Sequence, residues 1–559
     1  MNKAVSLVIG LLLLVVLLLS GCGNATTTPP ATTTAAPPTT TTKPPVTTTL
    51  APPTTVVNNT APPTSTAPPT TTSGQKKGGT LVYITSAGPT VIGVPILLGI
   101  DANAIGAAVP VIESLVSYDN KGVANPVLAE SWKVDTSAKT ITFNIRKGVN
   151  FSDGTPCDAA AVAWNLDQNI QAKTSAAVSW SSVAVLDQYT VLLKLIEYKA
   201  TALAAFDGTA GMIISPTAYK LNGQDWAKTH PIGTGPFMLT NFVRDSEVDY
   251  VKNPNYWQSG KPYLDGLKII VISDATTARM TLEAGQADVL TVAAADTTQA
   301  LSAKGYKIEQ RPGTDMVLIP DSKTATSPFA KKGVREAAEY AIDRPSIAST
   351  LGYGYYQPLN QAAAPFQGGY NAKLTTDRPY NVATAKQKLI DAGYPAGTGP
   401  TISITTSSSF QTDIVTAMMN YLNAAGFKCT INTVTQAVWT TQTNTGWNSL
   451  IWVTQGATDV EYVSFLDRYY ASYATRYPSL LKPTAITDVI SSAIYEPDYA
   501  KRLTLSQQAV AMMSDDCTTI NIDHQPGLFI EKPYVMNANF GTLTGTGFRW
   551  DCVNVWLNK

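Results

Sequence analysis

The chain is short of charge and of histidine. Only 14% of its 559 residues are Asp, Glu, Lys or Arg, against roughly 25% in an ordinary soluble protein. Its 40 basic and 40 acidic residues cancel, so it lacks the positive excess by which a nucleic-acid binder neutralises phosphates. There are two histidines, His230 and His524. That scarcity argues against a multi-histidine metal centre, and a histidine-based catalytic triad would have to use one of the two. No CxxC pair or zinc spacing is present, so no metal site and no cofactor are expected. No Gly-x-Ser-x-Gly nucleophile elbow occurs. Gly233-Thr234-Gly235 is followed by no Lys-Ser or Lys-Thr, which excludes a phosphate loop there. These absences argue against an enzyme of any of these kinds.

Part of the charge deficit is local. Residues 1–77 carry no acid and four bases, Lys3, Lys43, Lys76 and Lys77, so 36 bases face 40 acids over residues 78–559, a net of −4. Val5 to Leu19 is an apolar run broken only by Ser6 and Gly10. Fifteen helical residues reach about 22 Å, short of the roughly 30 Å hydrocarbon core, which favours a signal-peptide core over a spanning helix. Leu19-Ser20-Gly21-Cys22 follows directly and resembles the bacterial lipobox, in which the cysteine becomes the lipidated first residue. Residues 1–21 are therefore expected to be a signal peptide, with Cys22 the lipidation site. Residues 22–77 form a stalk: positions 24–74 contain 21 Thr and 12 Pro, every Pro in a Pro-Pro pair. Such a segment buries almost nothing and should extend as a polyproline-rich spacer, a candidate for O-glycans.

The remaining 482 residues suffice for a large core and several lobes. Leu81-Val82-Tyr83-Ile84 opens the fold as a strand. Ile141, Phe143 and Ile145 alternate with Thr142, Asn144 and Arg146, the pattern of a half-buried strand. Lys147-Gly148 and Asp153-Gly154 signal turns. Asp158 reads as the N-cap of a helix carrying Val162, Leu166 and Ile170. Strand 268–272 and helices 331–342, 382–392 and 411–425 follow, an alternation that predicts an α/β (α+β mixed) chain with mixed sheets.

Several stretches are more specific. Glu113-Ser-Leu115-Val-Ser-Tyr118-Asp119, Pro126-Val-Leu128-Ala129-Glu130-Ser131-Trp132 and Phe143 through Pro156 form one block. Pro231-Ile-Gly233-Thr234-Gly235-Pro236-Phe237, Asn253-Pro-Asn-Tyr256-Trp257 and Lys261-Pro262-Tyr263-Leu264-Asp265 form a second. Val334-Arg335-Glu-Ala337 with Ala341-Ile342-Asp343-Arg344, and Ala385-Lys386-Gln-Lys-Leu389 with Ala392-Gly393-Tyr394-Pro395, complete the set. In this order the blocks resemble the family 5 extracellular solute-binding proteins of ABC importers, which bind dipeptides, oligopeptides or nickel. Within them Glu130 and Asp153 read as turn and capping groups rather than as a catalytic carboxylate pair.

The resemblance implies a two-lobed, periplasmic-binding-protein-like fold with a ligand cleft between the lobes. Residues 78–316 would form the first part of lobe I, 317–519 lobe II, and 520–559 the part of lobe I that returns, with crossings near 314–319 and 518–523. It implies a solute receptor partnered by ABC permease subunits and expected to be a monomer, while the lipobox independently implies lipid anchoring at the outer face of the cell membrane, and the charge balance argues against nucleic acid as a partner. The expected ligand is a peptide. The ligand-binding candidates are Thr85 and Ser86 after the first strand, Tyr355 in the segment Tyr353-Gly354-Tyr355-Tyr356, and Trp439, Trp452, Gln455 and Asp459, with Trp447 a weaker one.

One departure bears on the ligand. In peptide-binding relatives a tryptophan is followed three residues later by an aspartate that pairs with the peptide's α-ammonium. Here Gln455 stands three residues after Trp452, and a neutral amide forms no such ion pair; removing one side of a buried pair costs several kcal/mol. An oligosaccharide or another uncharged solute is therefore the alternative ligand, a nickel chelate the next, and a surface sensor or adhesin reusing the fold the alternative role. Of Cys157, Cys429, Cys517 and Cys552, the pair Cys517–Cys552 is the candidate disulfide, since both fall near the second crossing and the returning segment; buried free thiols are the other possibility.

Overall fold

The computed structural model describes residues 74–99, 101–119, 122–291, 293–456, 461–540 and 550–559. The signal segment, all but the end of the stalk, Cys22 and Asp459 lie outside the described residues. The alternation at 141–145 becomes strand Thr140–Ile145, with Ile141, Phe143 and Ile145 buried and Asn144 exposed. Gly148 and Gly154 turn the chain at φ 75° and 83°, a region open to glycine because it has no Cβ. The Asp158 carboxylate accepts the Ala161 N–H at 3.0 Å and caps helix Ala159–Gln171. The later elements fall at Gly266–Val271, Lys332–Ala341, Val382–Asp391 and Thr412–Ala424.

One mixed sheet organises the fold. Its strands run in the order Lys428–Val434, Thr401–Ser407, Leu450–Gly456, Lys307–Pro320, Ile520–Glu531, Val289–Leu290, Thr80–Thr85, Gly266–Val271, Glu247–Lys252 and Phe237–Val243. Thr80–Thr85 pairs in parallel with both neighbours, as does Thr401–Ser407. The two long strands at the centre are antiparallel, from Lys307↔Glu531 to Leu318↔Ile520. At one end the strand Ile520–Glu531 joins Val289–Leu290, and so the half that holds Thr80–Thr85. At the other end Lys307–Pro320 joins Leu450–Gly456, in the half built from 401–456. These are the crossing strands that tie the halves together.

Their ladder breaks register twice, between Arg311 and Thr314 and between Met316 and Val317. Such bulges bend a strand and increase its twist. Gly313 lies in the first break. A Cβ there would sit 2.0 Å from the Gln525 carbonyl oxygen and 2.8 Å from the Gly527 nitrogen, so the close approach requires glycine.

Both halves of the sheet are covered on both faces. Leu81, Tyr83, Ile269 and Phe529 pack on one side of the first half, and Ile84, Leu282 and Ile530 on the other. In the second half, Leu318, Trp452 and Ile520 face one core while Val317, Ile451, Val453 and Phe465 face another. The unbroken apolar run Leu450–Val453 is the sequence mark of a strand buried on both faces. A separate antiparallel sheet, ordered Ala129–Asp135, Thr140–Ile145, Thr190–Leu195, Trp180–Asp187, closes its own core around Phe143, Leu166 and Phe206.

All four cysteines of the described chain are buried free thiols. Cys552 packs with Tyr83 in the first half, while Cys517 ends helix Tyr499–Asp516 near Glu339 of the second. The candidate pair Cys517–Cys552 is thus not formed. No helix among the described residues is long and apolar enough to cross a membrane.

Candidate functional site

The crossing strands bring a row of polar side chains together. Asp315 lies opposite Gln455 on one side and opposite His524 on the other, and His524 lies opposite Gln357 of the short strand Gln357–Pro358. Directly opposed residues project from the same face of a sheet. The row Gln455–Asp315–His524–Gln357 therefore runs across the sheet where its two halves join, between the two bulges.

Each member is held differently. His524 Nδ1 is 2.7 Å from Asp315 Oδ1. With Asp315 ionised the proton of that bond sits on Nδ1, since a carboxylate only accepts. Burial pushes the Asp315 carboxyl above its ordinary range, against the opposing effect of the His524 hydrogen bond and charge. Gln455 is fully buried. Its Nε2 donates to the Tyr470 hydroxyl at 2.8 Å and lies 3.4 Å from that of Tyr477, while Tyr470 donates to Oε1 at 3.1 Å. Burial raises both phenols, Tyr477 to about 12. Asp523, opposite Met316, belongs to the other face. Burial pushes its carboxyl up to about 7, and the Asp315 charge adds to the effect.

The other expected site residues fall into three places. Trp452 is 1% exposed in the core of the second half, and its carbonyl accepts the Trp439 Nε1–H at 2.9 Å. Trp439 meets Phe410 edge-on at 5.1 Å; Trp447 donates to the Ile319 carbonyl at 3.1 Å. Trp439 and Trp452 are thus brought together, with Gln455 on the same strand as Trp452. Thr85 ends the first strand in the opposite half, its hydroxyl donating to the Ala87 carbonyl at 3.0 Å, with Ser86 exposed beside it. Thr85 lines a small pocket with Tyr83, Asn103, Phe529, Phe540 and Trp550. Tyr355 is half-buried in the turn after helix Arg344–Gly352, its N–H bonded to the Gly352 carbonyl at 2.7 Å, two residues before the strand that pairs with His524.

Asp315, Asp523 and the pairing of His524 were not among the expected site residues. The one available signal was the scarcity of histidine. Asp315 and His524 are 209 residues apart, and no local pattern joins them.

A family model described as bacterial extracellular solute-binding proteins, family 5 Middle, matches residues 124–476. Among curated proteins the chain is similar to the glutathione-binding protein GsiB of Salmonella paratyphi A, at 29% identity over 325 residues, covering 57% of this chain and 63% of that protein. The match thus spans less than two thirds of that relative's length. Among solved structures it is similar to HbpA2 from Haemophilus parasuis, at a TM-score of 0.76 and 22% identity, covering 86% of this chain and all of the other. It is similar also to the periplasmic binding protein DppA from Helicobacter pylori in complex with the peptide STSA, at a TM-score of 0.70 and 21% identity, covering 87% and 99%. These likenesses show the fold: two lobes, with mixed sheets.

Proposed function

The chain belongs to the bacterial extracellular solute-binding proteins, family 5, and on that premise we propose that it is the solute receptor of an ABC importer, capturing a peptide or peptide-like solute between two closing lobes. Lobe I would comprise 78–316 and 520–559, and lobe II 317–519. The observation that carries this reading is the pair of crossing strands, Lys307–Pro320 and Ile520–Glu531, bulged where the halves of the sheet join. Strands of this kind let one half turn against the other, and a ligand that binds the closed arrangement better shifts the equilibrium toward it. The closed form would then be what the permease recognises. The signal run and Cys22 support a lipid-anchored, extracytoplasmic protein; loss of radiolabelled palmitate from Cys22→Ser checks the anchor.

Gln455 favours a second reading. It places a neutral amide, bonded to Tyr470 and Tyr477, where an α-ammonium would need a carboxylate, which leaves an oligosaccharide or other uncharged solute as the alternative. A thermal-shift panel of mixed peptides, oligosaccharides and nickel chelates on the full-length protein separates the two. A ligand at about 100 times its Kd adds about 2.7 kcal/mol to the native state and raises Tm by a few degrees. Peptides are expected to produce that shift. A shift with oligosaccharides alone selects the second reading, and no shift with any of the three overturns the receptor role.

A further inference from the structure

We propose that closing the lobes takes up a proton on Asp523, so that the receptor holds its solute more tightly at slightly acidic pH. The inference rests on the receptor reading and adds a regulatory input to it.

The first argument is where this carboxyl stands. Asp523 lies on the crossing strand Ile520–Glu531, opposite Met316 at the second bulge and opposite Pro358 on its other side. Helix Ala295–Ser302 of the first half and helix Arg344–Gly352 of the second both pack on this strand and touch each other. A seam between the halves therefore runs over the strand that carries Asp523. Tyr356, just after the second helix, senses both sides of it. Burial raises its phenol, the Asp523 and Asp296 charges add to that, and the Gln411 amide opposes them. Asp296 belongs to the helix of the first half, and Gln411 caps a helix of the second. Parting the halves along this seam brings water to Asp523.

The second argument is unmet bonding. Asp523 is fully buried. Its Oδ1 accepts one long bond, from the Gln525 amide at 3.4 Å, and its Oδ2 has no partner among the described residues. A buried carboxylate is ordinarily held by several donors or by a cation. The groups around this one supply neither. Asp315 on the facing strand and Asp296 are themselves acids, and His524 is turned to the other face, bonded to Asp315. Arg344 is committed to Glu339 and to the Asn521 carbonyl. Lys307, Glu309, Arg311 and Glu531 lie beyond the first bulge. A carboxyl so placed keeps its proton: burial pushes it up to about 7, and the Asp315 charge adds to the effect.

The third argument is linkage. Hydrated in the open form, the carboxyl titrates near its ordinary value of about 3.9; in the closed form it titrates at about 7. Between those values the closed form binds the extra proton. The advantage to closing is present below about pH 7 and lost above it, so from pH 6 to 8 the closing constant should fall about tenfold. Glu531 also has a raised carboxyl, but both strands paired with its own there, Lys307–Pro320 at its start and Val289–Leu290, belong to the first half. Its protonation leaves the hinge equilibrium alone.

The test puts one dye on each half of the full-length chain, at Met280→Cys and Val438→Cys, both exposed positions. The four described cysteines are buried, and Cys22→Ser keeps dye off the remaining one. Energy transfer is read at pH 6 and 8, without ligand and along a titration with a casein peptide digest, or with the oligosaccharide or nickel chelate if the thermal panel selects one. Without ligand, transfer should move toward its ligand-bound value as pH falls. The midpoint concentration of the titration should rise about tenfold from pH 6 to 8. Asp523→Asn, neutral at every pH, should abolish both effects and keep at pH 8 the midpoint that the wild type shows at pH 6. Glu531→Gln should preserve both. Equal midpoints at the two pH values overturn the proton uptake and leave the receptor reading standing, as does a dependence of opposite sign or one that Asp523→Asn retains. No change in transfer with any of the three probes at either pH overturns both. Should Asp523→Asn fail to fold, the wild type and Glu531→Gln decide: the same tenfold weakening in both supports the proposal, and its absence from the wild type or its loss in Glu531→Gln overturns it.

Discussion

Lys199 Nζ lies 3.0 Å from Asp467 Oδ2, joining the loop after strand Thr190–Leu195 to helix Tyr462–Tyr470 of the opposite half. The same ammonium donates to the Tyr473 hydroxyl at 2.9 Å. Two neighbours reinforce the clasp: Tyr495 donates to Glu197 at 2.7 Å, and the Ala200 N–H to the Ile494 carbonyl at 2.8 Å. Burial alone would lower the Lys199 pKa, but its bonds to Tyr473 and Asp467 raise it overall. The small four-stranded sheet is thus fastened to the helices of the second half, far in sequence from the crossing strands. In the receptor reading the clasp belongs to the closed state.

Lys199→Met should therefore weaken ligand binding without touching ligand. The side chains of Lys199 and Asp467 are 24% and 16% exposed, so screening by solvent limits the pair to about 1 kcal/mol, or roughly fivefold in apparent Kd. Titration calorimetry at low and high salt checks this. The wild type should lose affinity with salt and the variant should not. Equal affinities at low salt would remove the clasp from the closing equilibrium.

Gly313→Ala should destabilise the fold at the crossing. The added methyl would meet the Gln525 carbonyl and the Gly527 nitrogen, both backbone atoms that move only if the strands separate. Overpacking of this kind costs about 1–3 kcal/mol. Urea denaturation measures the loss, and an unchanged midpoint would mean that the bulge relaxes freely.

Arg502 and Glu461 make a bidentate pair inside the second half, Nε to Oε2 at 2.9 Å and Nη2 to Oε1 at 2.8 Å. Nη1 also donates to the Glu496 carbonyl at 2.8 Å. Both residues are less than a tenth exposed. Arg502→Leu leaves Glu461 buried without its counter-charge and should cost about 3–5 kcal/mol. Adding Glu461→Leu should recover much of that, because an apolar pair carries no desolvation penalty. A double variant no more stable than the single one would count against the pair as the cause.

The local elements were legible because their causes are local. Alternation at 141–145, a capping Asp158 and turn glycines act over a few residues, and each took its expected place. The tryptophans show where local reasoning stops. Trp452 stands in an apolar run that reads as a doubly buried strand, and its indole faces the Leu318 and Ile520 core. Which face Gln455 takes follows from strand register, and its tyrosine partners come from a helix and loop 15 and 22 residues away. Asp315 and His524 meet only because two strands 209 residues apart pair in one register. Sequence spacing carries no trace of that pairing.

Glu531 provides a test that depends on pH. Its side chain is fully buried; Oε2 meets Lys307 Nζ at 3.0 Å, and Oε1 has no partner among the described residues. Burial, reinforced by the Glu309 charge and opposed by Lys307, raises the carboxyl to about 7. The unfolded chain titrates near 4.3. Between those values the native state binds more protons than the unfolded state, so stability falls as pH rises through that window and stays reduced above it. Asp523, also raised to about 7, contributes in the same direction. Glu531→Gln removes one such group and leaves the others in place. From about pH 5.5 to 8 the wild type should lose roughly 2 kcal/mol more than the variant, at 1.36 kcal/mol per pH unit. Urea unfolding at the two pH values reads the difference directly, and parallel losses in both proteins would show that Glu531 is ionised throughout, held so by Lys307.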